Sequence, residues 1–181
     1  MERFHLVWVC AFFLFCGSLS AHGVLSKETL QQLFPEAENF VSRQKALTPQ
    51  QISAVEKETG RKLGPEDRSL TVYVAVATSP ESGRMQSLGG ILMVDAAGPG
   101  GLIDIAMACN LDGSVKRVLI TGNGGEKELE DQAFLKQFES RGPSDSWEPG
   151  DFQAAGTPES TEAVVQAVRR GVHLFMAFMD R

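Results

Sequence analysis

The residues with the most chemistry to offer lie in the stretch DFQAAGTPESTEAVVQAV, residues 151–168. An acid, Asp151, precedes a threonine, Thr157, across the small residues Ala154, Ala155 and Gly156. Ser160 and Thr161 follow, and then an amphipathic run begins. One reading is a phosphate site. Small side chains let the backbone approach a ligand closely. The following helix would aim free N–H groups and its positive dipole end at the threonine, and Ser160 and Thr161 would add hydroxyls. The other reading is local: Thr157 is an N-cap and Pro158 the first helical residue. The chain repeats that pair at Thr48-Pro49, completed by Gln51 as a capping box, where nothing suggests a ligand. From the sequence both readings stand.

Other candidates are more ordinary. Gly98, Gly100 and Gly101 suit a turn or a close backbone approach to a ligand. GNGG, 122–125, lacks the Lys-Ser/Thr ending of a phosphate loop. His173 is a lone histidine on a helix, Cys109 ends an apolar strand and is expected to pack, and Arg169-Arg170 are expected to face solvent. No carboxylate pair or nucleophile–base pair stands out.

Elements that must position these residues follow from periodicity. KETLQQLFP, from 27, reads as a short helix, with Phe40 packed beyond it. A second helix opens at Thr48 and stops at Gly60. LTVYVAVA, from 70, is one strand. A second lies within 85–94, AAGPGG is a turn, and a third strand covers 102–109. Asn110-Leu111-Asp112-Gly113 predicts a hairpin, with VKRVLIT as the fourth strand. A helix is expected over 127–139, a loop over 140–158, and a last helix over about 159–178, with Val164, Ala167, Val168, Val172 and Phe175 on one face. The order predicts an α+β fold: an antiparallel sheet of about four or more strands with helices packed on one side.

The chain has 181 residues, 43% of them hydrophobic and 22% charged, which suits one domain with a proper core. Its net charge of −6 argues against a nucleic-acid partner. Residues 1–21 read as a secretory leader: Arg3, the apolar run LVWVCAFFLF, then small residues. That run is short of the roughly 20 residues of a spanning helix, though an uncleaved N-terminal anchor is the alternative. The expected organisation is therefore a leader or anchor over 1–21, a helical segment over 22–68, and an α+β domain over 69–181, exported to the periplasm or another extracytoplasmic space. Cleavage would leave Cys109 as the lone cysteine, so no intrachain disulfide is expected. No metal-ligand spacing is present.

Four pieces, in this order, resemble the FMN-binding domain family: LFPEAENF (33–40), GPGGLIDIAMACNLDGSVKRVLI (98–120), FLKQF (134–138) and DFQAAGTPESTEAVVQAV. That family includes the flavin-carrying small subunits of the Rnf complex and of the sodium-translocating NADH:quinone reductase. The resemblance spans roughly residues 28–176. It implies an FMN-binding-domain fold and an electron carrier rather than a substrate-transforming enzyme. The cofactor would be FMN, covalent through its phosphate or noncovalent. Maturation would use a flavin transferase, and a membrane redox complex or reductase would be the electron partner. The family's D-x-x-[ST]-G-A-T motif places Asp151 as a recognition residue and Thr157 as the attachment residue. On the phosphate reading of the loop, Gly156, Ser160 and Thr161 would stand beside that phosphate, with Trp147 and Phe152 as candidate surface for the flavin ring. Ala154 stands where the motif has Ser or Thr, and Ala155-Gly156 reverses its Gly-Ala. Aligned instead on Ala163-Val164, Gly156 matches the family glycine and Pro158 falls on the attachment position. A flavin-free binding or structural module on the same fold is the alternative.

Overall fold

The computed structural model describes residues 24–180. The proposed leader lies outside the described residues. Among the described residues, no helix is long and apolar enough to cross a membrane.

Among the described residues, nine elements build an α+β fold around one antiparallel sheet. They are α1 (Lys27–Leu33), β1 (Asn39–Ala46), α2 (Pro49–Thr59), β2 (Ser69–Thr78), β3 (Met85–Gly98), β4 (Gly101–Asn110), β5 (Val115–Asn123), α3 (Gln132–Lys136) and α4 (Pro158–Met179), with short 3-10 turns between some of them. The five strands form a meander in chain order, β1-β2-β3-β4-β5. Each joins the next antiparallel, so short connections suffice. β1 carries the alternation-poor sequence NFVSRQKA and lies within the stretch read as helical. It is an edge strand, one neighbour holds it, and it leaves little hydrophobic pattern behind.

Strand alternation divides the core in two. Leu92, Val94, Ile105, Met107 and Cys109 point to the face covered by α4, whose Val164, Val168, Val172 and Phe175 meet them. Ile91, Ala106 and Ala108 point to the other face, where Leu30, Leu33 and Phe34 of α1 and its end cover them. The large helical layer thus lies on one side, and only short α1 shields the other. Glycine sets the spacing under α4: a Cβ on Gly90 would stand 2.7 Å from Val72 Cγ1 and 2.9 Å from the Phe175 ring.

Three expectations change. The helix expected over 127–139 is broken: a 3-10 turn covers Lys127–Glu130, and Asp131 then caps a five-residue α3 by accepting from the Ala133 N–H at 2.8 Å. β3 runs on to Gly98, so the turn shrinks to Pro99 and Gly100. Arg170 does not face solvent. β2 pairs with β3 only from Tyr73↔Ile91 outward, so the two strands part below that point. Arg170 fills the fork: Nη2 donates to the Asp95 carbonyl at 2.8 Å and to Asp95 Oδ1 at 3.1 Å, and Nε lies 3.2 Å from Asp67 Oδ2. Arg169 donates to the Glu58 carbonyl at 2.6 Å and ties α4 to α2.

Candidate functional site

α4 is the longest helix, and its N-terminus is where the candidate residues meet. Thr157 is the N-cap in extended backbone, its Oγ1 accepting from the Ser160 N–H at 3.2 Å, and Pro158 follows. Thr157 is exposed and Ser160 is fully buried. Gly156, at φ +69, turns the chain into the cap in a conformation that L side chains resist.

A residue absent from the sequence reading completes the site. Glu126, on the loop after β5, reaches the start of α4. Its Oε2 accepts from the Thr157 N–H at 2.8 Å, and its Oε1 accepts from the Ser160 hydroxyl and lies 3.4 Å from Thr157 Oγ1. Thr157 Oγ1 and Ser160 Oγ are 2.9 Å apart. A carboxylate therefore sits on the anion-favouring end of the helix. These hydrogen bonds hold the Glu126 carboxyl below the ordinary glutamate range, the Ser160 hydroxyl most of all, then the Thr157 N–H.

Comparison with the other Thr-Pro pair explains why a distant acid is needed. At Thr48 the third helical residue is Gln51, whose side chain accepts from the Thr48 N–H at 3.0 Å while Thr48 Oγ1 caps the Gln51 N–H at 3.2 Å. In α4 the equivalent residue is Ser160, and the acceptor for the Thr157 N–H comes from Glu126. A serine at that place, where a capping box wants Glu or Gln, was the available signal.

The other predicted residues divide. Thr161 turns inward: its Oγ1 donates to the Ala155 carbonyl at 2.7 Å and accepts from the Ala155 N–H at 3.1 Å, so it shapes the loop from beneath. Asp151 is exposed on a 3-10 turn and accepts from the Ser146 hydroxyl at 2.5 Å, bonded to none of the Glu126 cluster. Trp147 and Phe152 are not a surface for a ring. They are 3% and 7% exposed. Phe138 lies 5.0 Å from Phe152 and 6.5 Å from Trp147, centroid to centroid, and the Arg141 guanidinium covers Phe152 at 4.3 Å. Burying both rings favours folding, and it withdraws them from the α4 end.

Two further segments converge on this end. A Cβ on Gly98 would stand 2.8 Å from Ser160 Oγ, and one on Gly100 would overlap the Gly124 carbonyl. The β3–β4 turn is thus glycine-rich because it approaches protein, the 122–126 loop and α4. Leu102, 57% exposed, follows that turn.

Do these residues fit FMN? Its phosphate wants directed N–H and O–H donors at a helix N-terminus beside an exposed hydroxyl. The Thr157 N–H and the Ser160 hydroxyl already converge on one anion, and Thr157, an exposed residue, holds its hydroxyl beside them while capping the Ser160 N–H. That donor set fits the phosphate once Glu126 is withdrawn.

At the other end of α4, roughly 25 Å along the helix axis, a groove of about 490 Å³ opens against α2. Val55, Met176, Ala177 and Met179 line it, with Glu58 and His173 beside them. Burial first, and then Arg169, keep His173 below the usual imidazole range. The groove shares no residue with the Thr157 site. Cys109 is wholly buried, and desolvation raises its thiol far out of the reactive range.

Neither a scan against models of known protein families nor a search of curated proteins finds a match to this chain.

Proposed function

We propose that this chain is an exported FMN-carrying protein serving in electron transfer, with the N-terminus of α4 as its flavin end and Thr157 as the residue that takes the phosphate. One observation carries the reading: the hydroxyl of an exposed threonine sits beside donors already directed at a single anion, on a loop of small residues with left-handed Gly156. When bound, FMN would supply one- or two-electron chemistry. The chain's own residues do the rest. Thr157 presents Oγ1, and the Thr157 N–H and Ser160 hydroxyl orient a phosphate oxygen. Gly156 admits the close approach, and Thr161 fixes the loop from below. In covalent loading a Thr157 Oγ–P bond forms and the Oγ–H bond breaks. The proton leaves with the group displaced from an activated flavin phosphate, so the chain gains FMN less one water. A flavin transferase would be the maturation partner, with Asp151 as its recognition residue, and a membrane redox complex or reductase would be the electron partner.

A second reading is a flavin-free binding or structural module on the same fold. The burial of Trp147 and Phe152 favours it, since it withdraws the two aromatic side chains expected to carry the ring.

Intact mass of the protein, made with and without a flavin transferase, separates the two. Tryptic mapping of peptide 142–169 locates any adduct. FMN on Thr157 is the expected result. A bare peptide, with a control substrate modified in the same cells and no binding in a flavin titration, leaves the flavin-free module.

A further inference from the structure

Two ties join α2 to α4, and a groove opens between them. At one, Arg169 Nη2 donates to the Glu58 carbonyl at 2.6 Å; at the other, Gln51 Nε2 donates to the Ala177 carbonyl at 2.9 Å. Both end on backbone carbonyls, so they set the separation of the two helices. Ala54 of α2 and Ala177 of α4, both in the groove wall, are too small to fill the gap. Met176 and Met179 line what remains, a volume of about 490 Å³, within the roughly 300–1,000 Å³ of small-molecule sites. Met179 is 40% exposed, and the unbranched thioether of methionine refits to occupants of different shape. The charged residues that line this groove are both acids, Glu58 and Asp180. Among the described residues, neither carboxylate enters an ion pair. The nearby cations do not line the groove and are spent on backbone: Arg169 on the Glu58 carbonyl, and Lys45 Nζ on the Ala177 and Phe178 carbonyls at 3.1 Å and on that of Asp180. His173 also lines the groove. Burial first, and then Arg169, hold its ring below the usual imidazole range against the pull of Glu58, so at neutral pH it is uncharged and does not repel a cation. This end of the groove is also the negative end of the 22-residue α4.

We infer that the α2–α4 groove binds a small amphiphilic cation, an apolar body that carries a protonated amine. The body lies against Met176 and Met179, and the amine faces the carboxylates of Glu58 and Asp180. Selectivity comes from charge: an anion of the same length meets two carboxylates, and a neutral molecule gains burial alone. The groove shares no residue with the Thr157 end, so the inference stands whether or not that end carries flavin.

The test measures binding to the full chain by calorimetry, at neutral pH and low salt, with three probes of one chain length: octylamine, a cation; octanol, neutral; and octanoate, an anion. Octylamine should bind roughly five- to tenfold tighter than octanol, the size expected for a cation beside two partly solvated carboxylates, and octanoate should bind weakest. Ala54→Trp places a ring in the groove from an exposed position and should abolish octylamine binding without lowering the melting temperature. Glu58→Gln keeps the backbone carbonyl that holds Arg169; it should bring octylamine down towards octanol and leave octanol unchanged, and it decides alone if Ala54→Trp does not fold. Glu162→Gln removes the same charge from an exposed site in the first turns of α4 and should leave the preference intact. No octylamine binding, equal binding of the three probes, or binding that survives a folded Ala54→Trp overturns the inference. A preference lost as fully in Glu162→Gln as in Glu58→Gln overturns it too, because the net charge of −6 would then be its source. Dimerisation that Ala54→Trp abolishes would give the groove to a second copy of the chain, and would overturn it as well.

Discussion

The Thr157 N–H donates to Glu126 Oε2 at 2.8 Å across 31 positions of sequence. This bond joins the loop after β5 to the N-cap of α4, and it makes the helix end depend on a residue from another element. The β3–β4 turn closes on the same loop through Gly100 and Gly124. Three segments distant in sequence thus meet at the start of α4.

Thr157→Ala should cost about 1 kcal/mol, the usual loss for an N-cap threonine, and lower the melting temperature by about 2–4 °C. Thr157→Ser should keep the cap, because its hydroxyl accepts from the same N–H. On the flavin reading both variants are informative together: alanine loses covalent flavin and serine retains a hydroxyl to modify. Calorimetry and intact mass on the same samples measure the two effects.

The Glu126 contact should fade in acid. Its carboxyl is lowered from the ordinary 4.5 by the Ser160 hydroxyl first. A group whose folded value is depressed adds stability above its unfolded value and loses it as pH falls through the folded one. The melting difference between wild type and Glu126→Gln should therefore be full at neutral pH and shrink below pH 4.5. A difference that stays constant into acid would mean that the contact contributes through shape rather than charge.

Arg170 is expected to matter more than its neighbour. It stands between Asp67, 9% exposed, and Asp95 in the fork between β2 and β3, itself 20% exposed. Removing one member of a buried ion cluster costs about 3–5 kcal/mol, and partial exposure places Arg170→Met at the low end. Arg169→Met loses the tie to the Glu58 carbonyl, an exposed bond at the low end of the about 1.5–3 kcal/mol of a charged hydrogen bond. Urea unfolding of the two variants should rank them in that order.

What was legible follows from where the signal is local. The Thr48 capping box, the Asn110–Gly113 hairpin and the face of α4 each lie within a few residues, and the structure reproduces them. Thr157 as an N-cap was legible for the same reason. Glu126 was not, because its meaning is set by a partner on another element. β1 was missed because an edge strand with mostly exposed side chains has no strong period. The helix expected over 127–139 failed because Leu129, Phe134, Leu135 and Phe138 are all buried by tertiary contacts, while Asp131 takes a cap's role in the middle of the run. Trp147 and Phe152 misled for a related reason: near a loop in sequence, they fold back onto Phe138.

Gly90→Ala tests the closeness of α4 to the sheet. In a strand, alanine would ordinarily be tolerated or helpful, since glycine weakens strands. Here the new methyl would stand 2.7 Å from Val72 Cγ1 and 2.9 Å from the Phe175 ring, both in residues with almost no exposure. Val72 is β-branched and has few rotamers to offer. Phe175 belongs to the α4 face that covers β3, so relief requires the helix to move. Overpacking of this kind costs about 1–3 kcal/mol and outweighs the entropy gained from losing a glycine. The variant should melt about 2–9 °C lower, with loading at Thr157 unchanged when measured by mass below the transition. A neutral or stabilising effect would show that α4 can slide on β3, and the position of its N-terminus beside Glu126 would then be adjustable rather than fixed by packing.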